Sequence, residues 1–123
     1  MLLECIHIIG GRKREDNMKK ERQNADQEAL FEAILMLHST EECYAFFKDL
    51  CTYQELNAMA QRLQVAKMLH KGHVFHEIVE ETGASTATIS RVNRSLNYGS
   101  DGYDMVFKRL GFEKLDDEDD AEK

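Results

Sequence analysis

Short hydrogen-bonding side chains and a guanidinium group recur on one side of a predicted helix over residues 85–96. Two hydroxyls, a methyl group and a guanidinium share a single helical face: Thr86, Ala87, Ser90 and Arg94. Hydroxyl groups can donate or accept at base edges, and the methyl groups of threonine and alanine suit thymine. Arginine binds phosphate. This combination predicts a helix that contacts DNA, with the first three residues at the bases and Arg94 at the backbone. The alternatives are a solvated helical turn and a surface ion pair.

Two short helices joined by a glycine turn are predicted to position these side chains. Gly83 can adopt the positive φ that ends a first helix, and Ser85 is the candidate N-cap of a second. The second helix also carries an apolar stripe: Ile89, Val92 and Leu96. Residues 76–96 therefore fit a helix-turn-helix, whose second helix lies in the major groove.

The remaining pattern is helical throughout, and the chain contains no proline. Apolar residues predict a helix that begins near Asp26, and the capping-box spacing S-x-x-E opens another at Ser39. Thr52 and Glu55 repeat this type of spacing before a long helix that ends at Gly72, and residues 103–110 form a last short helix. Together with the helix-turn-helix, this predicts an all-α fold of six helices.

The first two predicted helices are apolar around most of their circumference. A small domain cannot bury both helices on its own surface, so they need a second partner surface. A homodimer in which these helices pack across a two-fold axis supplies it. Such a dimer would also present two helix-turn-helix motifs to successive turns of a duplex.

Charge divides the chain into three predicted segments. The formal net charge is −7, and residues 113–123 contribute −5 of it, which leaves a body that is not strongly basic. We expect residues 1–23 to be a flexible extension, with the natural start at Met18, and residues 24–112 to be the helical domain. Residues 113–123 are expected to be a disordered acidic tail.

The sequence predicts neither an enzyme nor a metalloprotein. Neither a nucleophile elbow nor a phosphate-binding loop occurs. His70, His73 and His76 are spaced as H-x-x-H-x-x-H, but the run crosses the Gly72 turn, so we expect surface histidines, no metal ion and no cofactor. Three cysteines without C-x-x-C spacing, and no apolar run long enough for a membrane span, predict a cytoplasmic protein with free thiols.

Two motifs resemble the Trp repressor superfamily, and more specifically its YerC/YecD-like branch. They are TYQELNAMAQRLQVAKML from Thr52 and TGASTATISRVNRSLNYG from Thr82, within a resemblance that covers residues 24–112. The resemblance implies an all-helical, intertwined homodimer that regulates transcription.

The resemblance also implies an effector site. The family's corepressor-binding positions fall on Arg62, Arg91 and Ser95, with Thr88 one turn earlier, and this set could hold a carboxylate. Val92 stands where the repressor has glycine against the indole ring, so tryptophan is not the expected corepressor.

We therefore expect a homodimeric, sequence-specific transcriptional regulator, a repressor by analogy, that binds double-stranded DNA. A small effector bearing a carboxylate would control it. The alternative is a helical, dimeric protein-interaction module without specific DNA binding. The salt dependence of binding to random duplex discriminates between the two.

Overall fold

The computed structural model describes the backbone of residues 2–112 and the side chains of residues 11–112. Every regular element in this part of the chain is an α-helix, as predicted. There are six: α1 Leu2–Leu35, α2 Thr40–Leu50, α3 Tyr53–His70, α4 Phe75–Thr82, α5 Thr86–Tyr98 and α6 Gly102–Leu110. The chain divides into two compact units, residues 1–50 and 51–123. The predicted acidic tail, 113–123, lies outside the described residues.

Helix α1 is longer than the sequence predicted. It begins at Leu2 rather than near Asp26, and it passes through the Gly10–Gly11 pair without a break. Each glycine costs a helix only about 1 kcal/mol, and the lysine, arginine and glutamate residues that follow favour helix. The predicted boundary at residue 23 therefore does not coincide with a helix end, and the flexibility of residues 1–23 stays a prediction.

The first unit contains no buried side chain among residues 11–50. Large apolar groups lie open on both helices, with Phe31 58% exposed, Leu35 76% and Tyr44 63%. In α2, Phe46 and Phe47 make an edge-to-face contact with their ring centres 5.8 Å apart. The apolar circumference that the sequence predicted is thus left largely uncovered within this unit.

The second unit is built on a core of eight buried residues from α3, α4, α5, α6 and the turn before α5: Val65, Ala66, Met68, Ile78, Ala84, Ile89, Val92 and Phe107. Phe107 is the largest of them and is fully buried. Its ring centre lies 5.0 Å from that of His70 and 5.9 Å from that of Tyr103. The helix-turn-helix segment is therefore packed on a scaffold of α3 and α6.

Helix α3 begins with the predicted capping box. The Glu55 amide donates to Thr52 Oγ1 at 3.1 Å, and the Thr52 amide donates to Glu55 Oε1 at 3.0 Å. The hydrogen bonds from the backbone and side chain of Thr52 lower the pKa of Glu55 below its ordinary value. The start of the scaffold helix is thus fixed by two residues close together in sequence.

None of the helices in the described part of the chain combines the length and the apolarity of a membrane span.

Candidate nucleic-acid interface

The turn between α4 and α5 is set by Gly83. This residue ends α4 with φ +69°, a left-handed conformation that glycine adopts without a steric penalty, and its amide donates to the Val79 carbonyl at 3.0 Å. Beside it, Thr82 Oγ1 donates to the Ile78 carbonyl at 2.6 Å and accepts from the Ala84 amide at 3.1 Å. The predicted glycine turn is confirmed, and it is closed by Thr82, whose role was not predicted.

A side chain from α3 fixes this turn to the scaffold. Gln61 Nε2 donates to the Thr82 carbonyl at 3.1 Å in a partly buried position. The two residues are 21 positions apart, so spacing within one element gave no sign of this bond. Gln61 lies next to Arg62, which the sequence analysis did select. The hydrogen bond sets where α5 begins relative to α3.

The N-terminus of α5 is capped as predicted. Ser85 Oγ accepts from the Thr88 amide at 3.1 Å, and the hydroxyl groups of Ser85 and Thr88 lie 3.0 Å apart. The Thr88 hydroxyl therefore belongs to the cap, a role that the sequence analysis did not give it. The cap holds the first turn, where the predicted base-contacting residues stand, in a defined helical conformation.

The four predicted DNA-contacting residues are all exposed on α5: Thr86, Ala87, Ser90 and Arg94. Helical spacing places them on one side, away from the buried Ile89. The arrangement thus offers two hydroxyls, a methyl group and a guanidinium to a partner outside the unit.

The end of α5 is closed by Gly99. Its amide donates to the Ser95 carbonyl at 3.0 Å. A Cβ atom at this position would overlap the same carbonyl oxygen, so the backbone would have to move to accept any other residue.

The four predicted effector residues are not all gathered in one cavity. A groove of about 460 Å³ lies in the second unit, and Ser95 is the only one of the four in its lining: Leu63, Ser95, Gly99, Ser100, Gly102, Tyr103 and Val106. Arg62 and Thr88 are half-buried, whereas Arg91 is exposed. Ser95 Oγ donates to the Arg91 carbonyl at 3.3 Å. A shared carboxylate site at these residues stays a prediction.

Val92 is only 2% exposed and belongs to the core cluster. The isopropyl group that distinguishes this chain from the repressor is therefore packed against the protein interior. The expectation that tryptophan is not the corepressor stays a prediction.

The three histidines occupy different environments, and the prediction that all three lie on the surface is wrong for His70. Its side chain is 7% exposed, with Nε2 3.2 Å from the Phe112 carbonyl and Nδ1 3.6 Å from Asp104 Oδ1. His73 and His76 are exposed beside glutamates of α4, at 2.8 Å from Glu77 and 3.2 Å from Glu80. No group of metal-ligating side chains converges within the described part of the chain.

Comparisons with known proteins agree with this architecture. The chain is 59% identical over 81 residues to the uncharacterised protein YerC of Bacillus subtilis, covering 66% of this chain and 78% of that protein. A crystal structure from Staphylococcus aureus, described as a candidate Trp repressor, matches with a TM-score of 0.71 and 53% identity over 73% of this chain and 90% of that one. A TrpR-like protein from Eubacterium eligens matches with a TM-score of 0.69 and 59% identity, covering 71% and 90% of the two chains.

The family model described as Trp repressor protein matches residues 25–111. This range includes every residue assigned above to the candidate interface. It also spans the long capped helix and the helix-turn-helix on which the resemblance was first based. The chain therefore belongs to the Trp repressor family, a family of DNA-binding regulators rather than enzymes.

Proposed function

We propose that this protein is a sequence-specific, DNA-binding transcriptional regulator that acts as a homodimer in the cytoplasm, with repression as its mode of action. One observation carries the proposal. Helix α5 buries Ile89 and Val92 on one side and exposes Thr86, Ala87, Ser90 and Arg94 on the other, while Ser85 and Gly83 fix its start. This is the presentation that a major-groove helix requires.

Recognition would divide between bases and phosphates along α5. Thr86, Ala87 and Ser90 lie in the first two turns, the part of a recognition helix that meets base edges. Their methyl and hydroxyl groups suit thymine and mixed donor–acceptor sites. Arg94 follows one turn later and would contact the phosphate backbone.

Homodimer formation is supported by the apolar surface that one chain leaves open. Phe31, Leu35 and Tyr44 are exposed in the first unit, and Leu63 and Val106 are exposed beside the groove of the second unit. Exposed apolar area of this kind marks a surface for protein contact. A two-fold dimer would cover it and would present two α5 helices to half-sites about 34–36 Å apart.

An effector with a carboxylate is the ligand class we propose for Arg62, Arg91, Ser95 and Thr88. Two guanidinium groups and two hydroxyls match the chemistry of a carboxylate head group. Because Val92 stands where the repressor has glycine against the indole ring, we propose that the rest of the ligand is not an indole ring. Selection of bound sequences from a random DNA pool, with and without each amino acid, tests both the operator and the effector.

Two substitutions on α5 separate backbone contact from base recognition. Arg94→Ala should weaken binding to every duplex alike and reduce the slope of log affinity against log salt by about 1, because one phosphate contact is lost. Thr86→Val should change the ranking of selected sequences, with about 1–3 kcal/mol at the affected base pair. Fluorescence anisotropy over a salt series measures both.

Arg22→Ala is the matched control, since this arginine is also exposed but lies on α1. It should leave affinity unchanged. If neither α5 variant changes binding, the assignment of this face is wrong. If the native protein binds no duplex even at low salt, the protein-interaction module becomes the better description.

A further inference from the structure

One side chain joins the scaffold helix α3 to the helix-turn-helix by a directional contact. Gln61, in the middle of α3, donates from Nε2 to the Thr82 carbonyl at 3.1 Å, and both residues are partly buried. In the part of the chain that the structure describes, no other hydrogen bond connects α3 with residues 76–96. The other contacts between them are apolar, through core residues such as Ala66 and Ile89. The orientation of the motif on α3 therefore relies on one amide group.

The carbonyl that accepts this bond belongs to a turn that is itself closed by hydrogen bonds. The Thr82 hydroxyl accepts from the Ala84 amide at 3.1 Å. One residue further along, Ser85 Oγ accepts from the Thr88 amide at 3.1 Å and caps α5. The position at which Gln61 holds the Thr82 carbonyl is thus passed on to the first turn of α5, where the predicted base-contacting residues stand.

Apolar packing alone does not fix one angle for α5. Packed helices in proteins scatter by about 15–20° around their preferred crossing angles. A tilt of about 10° about the buried Val92 would move Thr86, which is about 9 Å away along the helix, by about 1.6 Å. In a two-fold dimer both copies move, so the separation of the two reading positions changes by about 3 Å. This change is close to the rise of one base pair, about 3.4 Å.

We propose that Gln61 is a positioning residue that sets the half-site spacing which the dimer accepts. Its amide holds the start of α5 at one place on α3, so that the two reading helices match one separation of half-sites. Sites that are one base pair longer or shorter are rejected, while residues of α5 choose the bases within each half-site. This inference rests on the proposed function and adds to it the residue that determines spacing.

The decisive variant is Gln61→Met, which keeps the length and the helix propensity of the side chain but removes the donor. Its affinity for the best selected operator should fall about threefold to tenfold, because the correct orientation of α5 becomes one of several that are populated. Inserting or deleting one base pair between the half-sites should cost the native dimer about as much as a mismatch, about 5-fold to 150-fold. The same change should cost the variant about one-third of that factor or less. Fluorescence anisotropy with operators of graded spacing measures these affinities.

Gln64→Met is the matched control, since it makes the same substitution about one turn later at an exposed position of α3. It should keep the native affinity and the native spacing preference. Gln61→Glu supplies a second test of the donor. Its carboxylate has the same reach as the amide but only accepts, so this variant should behave like Gln61→Met. Sedimentation equilibrium checks that each variant is still a dimer.

The spacing preference separates a positioning role from a merely structural one. A variant that was only less stable would bind every operator more weakly by the same factor, and its ranking of spacings would stay native. If Gln61→Met and Gln61→Glu rank the spacings as the native protein does, the inference is wrong. The proposed function then stands, because the native protein still binds its selected operator. Equal loss of the preference in Gln64→Met would also show that the amide of Gln61 is not its cause.

The native protein alone distinguishes the two proposals further. If it binds its half-sites equally well at every spacing, this inference is contradicted and the DNA-binding function is not. If it selects no sequence and binds no duplex even at low salt, the proposed function fails, and the role of Gln61 in spacing fails with it.

Discussion

The two units of this chain differ in whether they bury their apolar side chains among themselves. Residues 51–112 bury eight side chains among themselves, from Val65 on α3 to Phe107 on α6. Residues 11–50 bury none, although α1 and α2 carry Phe31 and Phe46. An apolar pattern therefore shows that a side chain needs cover, but it does not show which molecule supplies the cover. For the eight core residues of the second unit the chain itself supplies the cover, and for the first unit we infer that another copy does.

The largest expected effect tests this inference at the first unit. Phe31→Glu removes an apolar side chain worth about 1.5–3 kcal/mol when buried, and it does so twice in a two-fold dimer. The loss of about 3–6 kcal/mol should raise the dimer dissociation constant by roughly 100-fold to 10,000-fold. Sedimentation equilibrium over a concentration series measures it.

Ala29→Glu provides the comparison for Phe31→Glu. Ala29 is exposed on the same helix but lies on the opposite side, since two residues advance the helix by about 200°. This variant should dimerise normally. Equal behaviour of the two variants would show that the apolar face of α1 is not an interface.

A smaller loss is expected in the second unit, and it should not depend on protein concentration in the same way. Phe107→Ala empties the centre of a core that one chain completes by itself, and should lower the free energy of unfolding by about 3–5 kcal/mol. Chemical denaturation monitored by circular dichroism measures the loss. Tyr98→Ala, at a position 87% exposed, should stay within about 0.5 kcal/mol of the native protein.

The smallest effect is expected at the capping box that opens the second unit. Thr52→Ala removes an N-cap and should cost about 1 kcal/mol. Because the folded pKa of Glu55 is lowered, its ionised form stabilises the fold above the ordinary glutamate pKa. This contribution is lost as pH falls through the lowered value. From pH 7 to pH 3, the thermal midpoint should fall further in the native protein than in Glu55→Gln, and the difference measures the contribution of Glu55.

Local signals in the sequence were sufficient wherever a structural element is fixed by close neighbours. The Thr52–Glu55 box, the Gly83 turn and the Ser85 cap each act over four residues or fewer, and each was predicted. The face of α5 followed from helical spacing. These features explain why the all-α fold and the helix-turn-helix could be predicted without coordinates.

Contacts between distant residues could not be predicted in the same way. The bond from Gln61 to the Thr82 carbonyl spans 21 positions, and the contact of His70 with the Phe112 carbonyl spans 42. Both use a backbone carbonyl, which every residue has, so no residue type at the accepting position indicates them. The extent of α1 could not be predicted for another reason, because the Gly10–Gly11 pair interrupts the helix-forming residues that lie on either side of it.

Gly99 shows that solvent exposure and mutational tolerance are separate properties. The residue is open to water, yet the space that a side chain would need is already filled by the carbonyl of Ser95. A tolerance map drawn from accessibility would mark this position as freely variable. A library that randomises position 99, at the C-terminal end of α5, should therefore return glycine far more often than its codon frequency.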